Sequence, residues 1–379
     1  MGCAFGESHT LAESSGPGFD GIALAATGEG AWLVWSERAG AFARRLGAHG
    51  APTSAARRLG PGCAGGVAAA MHDGALLVAC LAPGDRDRGR EGVLTLLRVG
   101  EREPVVLGRT GPVGATSRRP EVAAERGRVV VGWRDADVFV ARARVAELGP
   151  SGLGEARALS SEGTLASAPS LAFVEGHLVA AWTESWFEDG RAVGHLLTRR
   201  EEEPPLPSLR VGDVDVRTHL AVDARGAIAT LRDARGRSTR HRAFAGRLDD
   251  ALRLEARALR SPGRADADDA HPSTVPCGEH LFAIATRLSS RDVTMVTLRR
   301  LDASLEPREA EHQIYEYHAR FPQAVAVCVE GRLLVAVGEQ QSEVRAHPRL
   351  STYELVCEPG RAHARTPGTE GQVLRKRAR

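Results

Sequence analysis

Several residues able to bind a negatively charged group stand just before short apolar segments of this chain. These residues are Arg119, Arg217, His271 and Arg320. Guanidinium groups bind carboxylate, sulfate and phosphate groups through paired hydrogen bonds. If these side chains converge, they predict a site for an anionic group on a ligand. The alternative is that the arginines pair with acidic neighbours such as Asp20, Glu121 or Asp269.

Aromatic residues make up only 4% of the chain, so clusters of them are informative. The segment HQIYEYHARFP, at 312–322, contains Tyr315 and Tyr317, and the segment WTESWFEDG, at 182–190, contains Trp186. The second segment has the composition of a hairpin tip. A hairpin tip does not need a tryptophan for folding, so we expect Trp186 to stack on a ligand.

Acid–base chemistry would require carboxyl or phenol groups beside such a site. Glu121, Glu184 and Tyr315 are the candidates for acid, base or nucleophile roles. Glycoside cleavage needs two carboxylates roughly 5–10 Å apart. The sequence does not show any pair that meets this condition, so we predict no catalytic residues and keep these three only for an enzymatic alternative.

Metal-binding patterns are weak. The six cysteines do not have the spacing of a zinc site. The segment DADDAHP offers Asp266, Asp268, Asp269 and His271, whose oxygens could hold Ca²⁺, but it lacks the fixed spacing of a calcium loop. A solvated acidic turn is the alternative, and we predict no cofactor.

The elements that must position these residues repeat along the chain. Seven anchor residues recur about 50 residues apart, namely Asp20, Gly65, Pro120, Pro169, Thr218, Pro272 and Pro322. Each begins an apolar run, a turn that usually contains glycine, and a second apolar run, as in PSLAFVEGHLVAAW at 169–182. Runs of this kind predict β-strands covered on both faces, and the glycine suits a tight hairpin turn. Two weaker segments usually follow, which gives four strands per unit.

Seven units of four strands resemble a β-propeller over almost the full length of the chain. The sequence lacks the Gly-His and Trp-Asp pairs of WD40 repeats, the double glycine of kelch repeats and the Asp box of sialidases. We therefore predict an all-β, seven-bladed β-propeller of no named family. One domain is expected over 1–358, with blades that start near 18, 63, 118, 167, 216, 270 and 320. Residues 359–379 are expected to form a basic, disordered tail.

The two ends of the chain are predicted to share the last blade. The last unit is one strand short, and residues 1–17 contain a strand around Ala4 to Leu11. Paired antiparallel to the segment Leu350 to Cys357, that strand would complete the seventh blade and close the ring. Cys3 would then lie near Cys357, either in a disulfide or as two free buried thiols.

Three of the other cysteines, Cys80, Cys277 and Cys328, are interpreted as packing residues. Cys80 replaces the tryptophan that ends the second strand of other units, which indicates a core position. Cys277 and Cys328 fall at matching places in adjacent units, which also fits packing.

Charge and hydropathy argue against nucleic-acid binding and against a membrane span. The net charge is +2, but the segment 359–379 alone carries +5, so the rest of the chain is about −3 and lacks the basic footprint of a nucleic-acid-binding domain. No apolar run is long enough to span a membrane. We expect a monomeric, extracytoplasmic module that binds a glycan or a protein partner. The alternative is a hydrolase or lyase that acts on an acidic carbohydrate.

Overall fold

The structure is a computed structural model. It describes residues 3–84, 91–100, 102–137, 140–188, 191–211, 218–233, 242–255, 257–259, 268–288, 294–308, 311–317, 322–340 and 347–357. Within these ranges the chain forms thirty β-strands arranged in six hydrogen-bonded sheets.

Five of the sheets are four-stranded antiparallel blades. The first contains β2 (Phe19–Ala26), β3 (Gly30–Glu37), β4 (Gly40–Gly47) and β5 (Arg57–Gly60). The second contains β6 (Gly66–His72), β7 (Ala75–Ala82), β8 (Gly92–Val99) and β9 (Val105–Val113). The third contains β20 (Thr218–Asp223), β21 (Gly226–Asp233), β22 (Arg242–Arg247) and β23 (Arg257–Ala258). The fourth contains β24 (Asp268–Cys277), β25 (His280–Leu288), β26 (Thr294–Leu301) and β27 (His312–Tyr317). The fifth contains β28 (Gln323–Val329), β29 (Arg332–Gly338), β30 (Arg349–Cys357) and, from the start of the chain, β1 (Cys3–Glu13).

The sixth sheet is larger and has ten strands. Its strands are β10 (Arg118–Glu125), β11 (Arg128–Ala136), β12 (Ala141–Gly149), β13 (Gly152–Leu153), β14 (Arg157–Ala158), β15 (Leu165–Ala166), β16 (Ser170–Val174), β17 (His177–Glu188), β18 (Arg191–Arg200) and β19 (Leu206–Val211). The two-residue strand β15 pairs in parallel with β12 and antiparallel with β17.

The propeller architecture is therefore present, but the prediction of seven separate four-stranded blades is not met. The structure has five such blades and one ten-stranded sheet. The reason is local. The segment before β16 forms the short strand β15, which adds hydrogen bonds between β12 and β17 and joins them into one sheet.

The apolar runs become strands because both of their faces are covered by neighbouring sheets. Every residue of β3 is buried, and almost every residue of β7 is buried. Trp133 and Trp182 are among the largest fully buried side chains, and each packs in an apolar cluster between sheets. The hairpin turns use the predicted glycines. In the turn between β16 and β17, Glu175 and Gly176 have φ of 52° and 85°, as a type I′ turn requires.

The ends of the chain meet in the fifth blade. Strand β1 pairs antiparallel with β30, with Cys3 opposite Cys357, and the two cysteines form a disulfide. This is the closure that the residue count predicts, and it leaves the outer strand of the blade covalently fastened to its neighbour.

Cys80, Cys277 and Cys328 pack in apolar clusters, as predicted, but these three cysteines and Cys63 are also paired in disulfides. Cys63 bonds to Cys80, and Cys277 bonds to Cys328, which joins β24 to β28. All four lie in apolar clusters between sheets. The packing interpretation was correct about burial, but spacing along the chain does not reveal partners from different strands. Three disulfides are typical of a protein that folds in an oxidising compartment.

Candidate functional site at the channel mouth

A channel of about 280 Å³ runs between the innermost strands. Its wall is mostly made of small apolar side chains from β2, β6, β10, β24 and β28, including Ile22, Ala23, Leu24, Val67, Ala68, Ala69, Val122, Val275, Ala324, Val325, Ala326 and Val327. Three polar side chains interrupt this wall, those of Glu121, His219 and Ser273. A few polar groups on an otherwise apolar cavity wall are the usual composition of a ligand site.

The three polar residues lie at one end of the channel. Each directly follows an anchor residue, Pro120, Thr218 or Pro272, in β10, β20 and β24 respectively, and the innermost strands of a propeller run in the same direction. We call the end defined by Glu121, His219 and Ser273 the channel mouth.

Hydrogen bonds between blades hold the channel mouth in place. Ser170, the first residue of β16, donates through Oγ to Glu121 Oε1 at 3.4 Å and accepts from the backbone N–H of Leu220 at 2.9 Å. Gln323 accepts from the backbone N–H of Ile22 at 3.1 Å and donates to the carbonyl of Phe19 at 3.2 Å. These bonds tie β10, β16 and β20 together and also tie β28 to β2, so the mouth is a preorganised site.

A β-bulge lies at the start of three innermost strands and decides which residues face the channel. The pairing register shifts between Phe19 and Gly21, between Arg118 and Glu121, and between Ala270 and Ser273. A bulge inserts an extra residue and re-aims the side chains that follow it. As a result Glu121 and Ser273, which follow their bulges, line the channel.

Arg119 falls within the bulge of β10. Its backbone has a φ of 58°, its N–H donates to the carbonyl of Gly65 at 2.7 Å, and its side chain is half-buried. Arg119 is not among the residues that line the channel. The lining begins at Pro120 and Glu121, one to two residues after the predicted position. His271 lies in the bulge of β24, and its side chain is outside the described part of the chain.

The remaining predicted ligand residues from the arginine and tyrosine groups are not described. Arg217 and Arg320 lie outside the described residues, as do the side chains of Tyr315 and Tyr317, whose backbone belongs to β27. Their placement at the site stays a prediction.

Trp186 lies close to the tip of the β17–β18 hairpin, opposite Val193. Its indole is half-buried and stacks on the imidazole of His195, with ring centroids 5.0 Å apart and planes within 5°. The sequence identified Trp186 but gave no sign of its partner, because His195 comes from the following strand.

Glu184, two residues earlier on the same strand as Trp186, is buried and structural. It is 2% exposed and accepts hydrogen bonds from the Ser161 N–H at 2.9 Å, the Trp182 Nε1 at 2.8 Å and the Thr164 hydroxyl at 3.0 Å. Three donors hold the carboxylate inside the sheet, which does not support a role as an acid or base.

Sequence reasoning missed a repeated carboxylate of this kind. Asp135, two residues after Trp133, accepts from the Gly114 N–H at 2.9 Å and the Ser117 hydroxyl at 3.0 Å. Glu339 occupies the matching place after β29 and accepts from the Arg349 N–H at 2.8 Å. The signal was an acidic residue just past the end of the second apolar run, and its role is to satisfy backbone groups of the adjoining loop.

Sequence reasoning also missed His219. It is the second residue of β20 and directly follows the anchor Thr218, just as Glu121 follows Pro120. The signal is this position, which faces the channel in both strands.

The described residues contain neither a cluster of metal ligands nor a membrane-spanning helix. Within them, no three residues of the types His, Cys, Asp and Glu are grouped so as to hold a metal ion. The side chains of the DADDAHP segment lie outside the described residues. Among the described residues no helix has the length and apolar character needed to cross a membrane.

Comparisons with known proteins agree with the fold. No protein-family model and no curated protein matches the sequence. Solved structures do match. The polysaccharide lyase Uly1 superposes with a TM-score of 0.51 over 89% of each chain, at 8% identity. A subtype N11 neuraminidase-like protein of A/flat-faced bat/Peru/033/2010 superposes with a TM-score of 0.50, at 10% identity, over 91% of this chain and 88% of its own. The fold is a β-propeller. At such low identities the likeness shows the fold alone.

Proposed function

We propose that this protein is a non-catalytic β-propeller that binds a carbohydrate at the channel mouth. The observation that carries this proposal is the placement of Glu121, His219 and Ser273 on an otherwise apolar cavity wall. A carboxylate, an imidazole and a hydroxyl can each hydrogen-bond to sugar hydroxyl groups, and the apolar wall can pack on the C–H face of the ring.

The size and rigidity of the site favour a small ligand. The cavity volume of about 280 Å³ is near the lower end of ligand pockets. This volume suits the end of a sugar chain better than a protein loop. The hydrogen bonds made by Ser170 and Gln323 fix the strands around it, so little ordering is needed on binding.

The positions of the Glu121 and Glu184 carboxylates favour binding of a sugar over its hydrolysis. Glycoside hydrolysis needs a pair of carboxyl groups that face the sugar. Among the described residues that line the channel, Glu121 is the only one with a carboxylate. Glu184 is enclosed by three hydrogen-bond donors and does not supply the second.

The fold neighbours are consistent with a carbohydrate ligand. Uly1 is described as a polysaccharide lyase and the viral protein as neuraminidase-like. The shared fold favours a carbohydrate ligand by analogy, and the residues of the channel mouth carry the proposal for this chain.

Binding of an acidic sugar would involve a second set of residues. We propose that Arg119, together with Arg217, His271, Arg320, Tyr315 and Tyr317, surrounds the mouth and holds an anionic substituent. Arg119 has a half-buried side chain and lies two residues before Glu121 in the chain. A guanidinium there would pair with a carboxylate or sulfate group of the ligand.

A glycan array followed by calorimetry tests the proposal. The wild-type protein should bind a defined set of glycans, and Glu121→Gln and His219→Ala should each weaken binding of the best glycan by about tenfold or more, since each removes hydrogen bonds to the ligand. Leu206→Ala, an exposed position on the outer strand β19, is the control and should leave binding unchanged. Absence of any bound glycan, together with reproducible capture of one protein partner, would overturn the proposal.

A lyase acting on an acidic polysaccharide is the second candidate. Glu121 and His219 share one cavity. A base would remove the proton beside the uronate carboxyl group, the bond from the ring carbon to the leaving oxygen would break, and a ring C=C bond would form while the oxygen takes a proton. Incubation with uronate-containing polysaccharides, followed by ultraviolet absorbance of the unsaturated product, would reveal this activity.

The proposal also covers the number of blades, the oligomeric state and the cellular compartment. The innermost strands β2, β6, β10, β16, β20, β24 and β28 contact one another in sequence, and β28 contacts β2. We infer that the ten-stranded sheet consists of two blades fused by β15, which would restore a seven-bladed ring. An extracytoplasmic location and a monomeric state are part of the same proposal.

A further inference from the structure

A second cavity, of about 770 Å³, lies between the first and second blades. Its wall includes the β2–β3 turn and residues near the ends of β4 and β6, among them Glu29, Trp32, Arg45, Thr53 and Met71. We call this cavity the Trp32 cleft. The channel mouth lies where the innermost strands begin, whereas the cleft lies where β2 and β6 end. The cleft is therefore a separate site at the opposite end of the propeller, and its volume is within the usual range of small-molecule sites.

The guanidinium of Arg45 lies over the indole of Trp32, with its central carbon 4.9 Å from the ring centroid. The two residues are paired directly between β3 and β4. The backbone of Arg45 is anchored as well, because its N–H donates to Ser54 Oγ at 3.0 Å and its carbonyl accepts from the Thr53 N–H at 3.0 Å. The cation–π contact orients the guanidinium but supplies no anionic partner for it.

Two opposite charges in the cleft have no partner in the described part of the chain. The Arg45 guanidinium and the Glu29 carboxylate each lack a hydrogen bond or ion pair to any described residue. The neighbouring Arg44 differs, since its Nε and Nη1 donate to the carbonyls of Ser54 and Leu11, both at 2.8 Å. Arg44 is thus held by the protein, whereas Arg45 is exposed and can bind an anionic group.

The apolar part of the cleft is continuous with the core. Trp32 is 8% exposed and belongs to the apolar cluster between the first two blades, and Met71 packs against the same cluster. A surface of this kind is held in place before any ligand arrives. An apolar group that rests on it can therefore displace water with little ordering of the protein.

We propose that the Trp32 cleft binds a small zwitterion, a molecule that carries a carboxylate, an ammonium group and an apolar body. Arg45 pairs with the carboxylate through two parallel hydrogen bonds, and Glu29 accepts from the ammonium group. Trp32 and Met71 contact the apolar body. A simple anion would meet the negative charge of Glu29, whereas a ligand with both charges is complementary to the two residues. Free α-amino acids and short peptides share this chemistry.

Calorimetry with matched probes tests the proposal. The probes are leucine and trileucine, each also with an acetylated amino group or an amidated carboxyl group. The wild-type protein should bind at least one unblocked probe about tenfold more tightly than either of its blocked forms, because each block removes one charged hydrogen-bonding group. The tighter of leucine and trileucine identifies a free amino acid or a peptide as the source of the ligand.

Two variants assign the charges. Arg45→Gln should weaken binding of the unblocked probe about tenfold and leave binding of its amidated form unchanged. Glu29→Gln should have the same effect on the unblocked probe and leave its acetylated form unchanged. Glu29 is an exposed turn residue, so its variant keeps the test valid even if loss of Arg45 reduces stability. Arg210→Gln, an exposed position on β19, is the control and should match the wild type.

The outcomes also separate this site from the channel mouth. Absence of binding for every probe at millimolar concentration, or equal binding of blocked and unblocked forms, would overturn the proposal. Arg45→Gln and Glu29→Gln variants that bind like Arg210→Gln would overturn it too. Glu121→Gln should bind all probes normally, and a loss there would place them at the channel mouth and so contradict the proposal. None of these results alters the test of the channel mouth with glycans.

Discussion

Glu184 accepts a hydrogen bond from the indole N–H of Trp182 at 2.8 Å, although the two residues are only two positions apart on β17. Both side chains therefore lie on the same face of the strand and are buried together. The pair shows how this chain uses carboxylates inside its sheets. They satisfy N–H and hydroxyl groups of the loops between blades, and the residues that line the channel come from other positions.

The first prediction concerns the stability that this carboxylate provides. Glu184→Ala leaves the Trp182 and Ser161 N–H groups without their acceptor, so the free energy of unfolding should fall by about 2–4 kcal/mol. Chemical denaturation with a fluorescence readout measures the change. Glu162→Ala, a glutamate whose side chain is 94% exposed, serves as the control and should change stability by about 0.5 kcal/mol or less. Equal effects of the two substitutions would show that Glu184 is not a structural acceptor.

The second prediction compares two tryptophans on one strand. Trp182 is fully buried between sheets, so Trp182→Ala should destabilise the protein by about 3–5 kcal/mol. Trp186 is half-buried, so Trp186→Ala should cost about 1 kcal/mol and lower the melting temperature by only a few degrees. Thermal unfolding of both variants measures the difference. A large loss in Trp186→Ala would make Trp186 a core residue and remove it from any ligand site.

The third prediction concerns acid stability. Glu311 lies between Arg287 and Arg299, at 2.6 and 2.7 Å from their guanidinium nitrogens. Burial acts to raise the pKa of Glu311, but the two guanidiniums outweigh it and hold that pKa below the usual 4.5. A lowered carboxyl pKa adds stability that is complete above the unfolded pKa and is lost as the pH falls through the folded one. Glu311→Gln should therefore be less stable at pH 7 and should lose less stability than the wild type on acidification below 4.5.

Denaturant unfolding at several pH values checks this third prediction. The wild-type and Glu162→Gln proteins should show the same decline in stability below pH 4.5, whereas the decline in Glu311→Gln should be shallower. Parallel curves for all three proteins would mean that Glu311 does not contribute to the acid sensitivity.

The fourth prediction concerns ring closure. Cys3 and Cys357 join residues 354 positions apart, so their disulfide restricts the unfolded chain strongly. Replacing both with serine should reduce stability by about 2–4 kcal/mol and should speed amide hydrogen exchange in β1 and β30 first. Non-reducing peptide mapping is the direct check. Detection of both cysteines as free thiols would remove the covalent closure.

The general architecture could be predicted from the sequence because each unit repeats the same short-range signals. Apolar runs, glycine turns and a missing last strand are local features, and together they indicate blades and the pairing of β1 with β30. The fused sheet could not be predicted. It depends on Leu165 pairing with Ala141 and Ser185, a contact between distant segments with no composition signal of its own.

The site was predicted less well, and the bulges explain part of the difference. A bulge at the start of an inner strand shifts the side-chain alternation, so residues after the anchors, such as Glu121 and Ser273, line the channel. Whether a strand contains a bulge depends on tertiary packing and on register with its neighbour. The disulfides of Cys80 and Cys277 were missed for a similar reason, since their partners come from other segments.

A structure of the protein crystallised with the best-binding oligosaccharide tests the central claim most directly. The account predicts that one sugar ring occupies the channel mouth within hydrogen-bonding distance of Glu121 and His219. A ligand bound at any other surface, with the channel mouth empty, would contradict it.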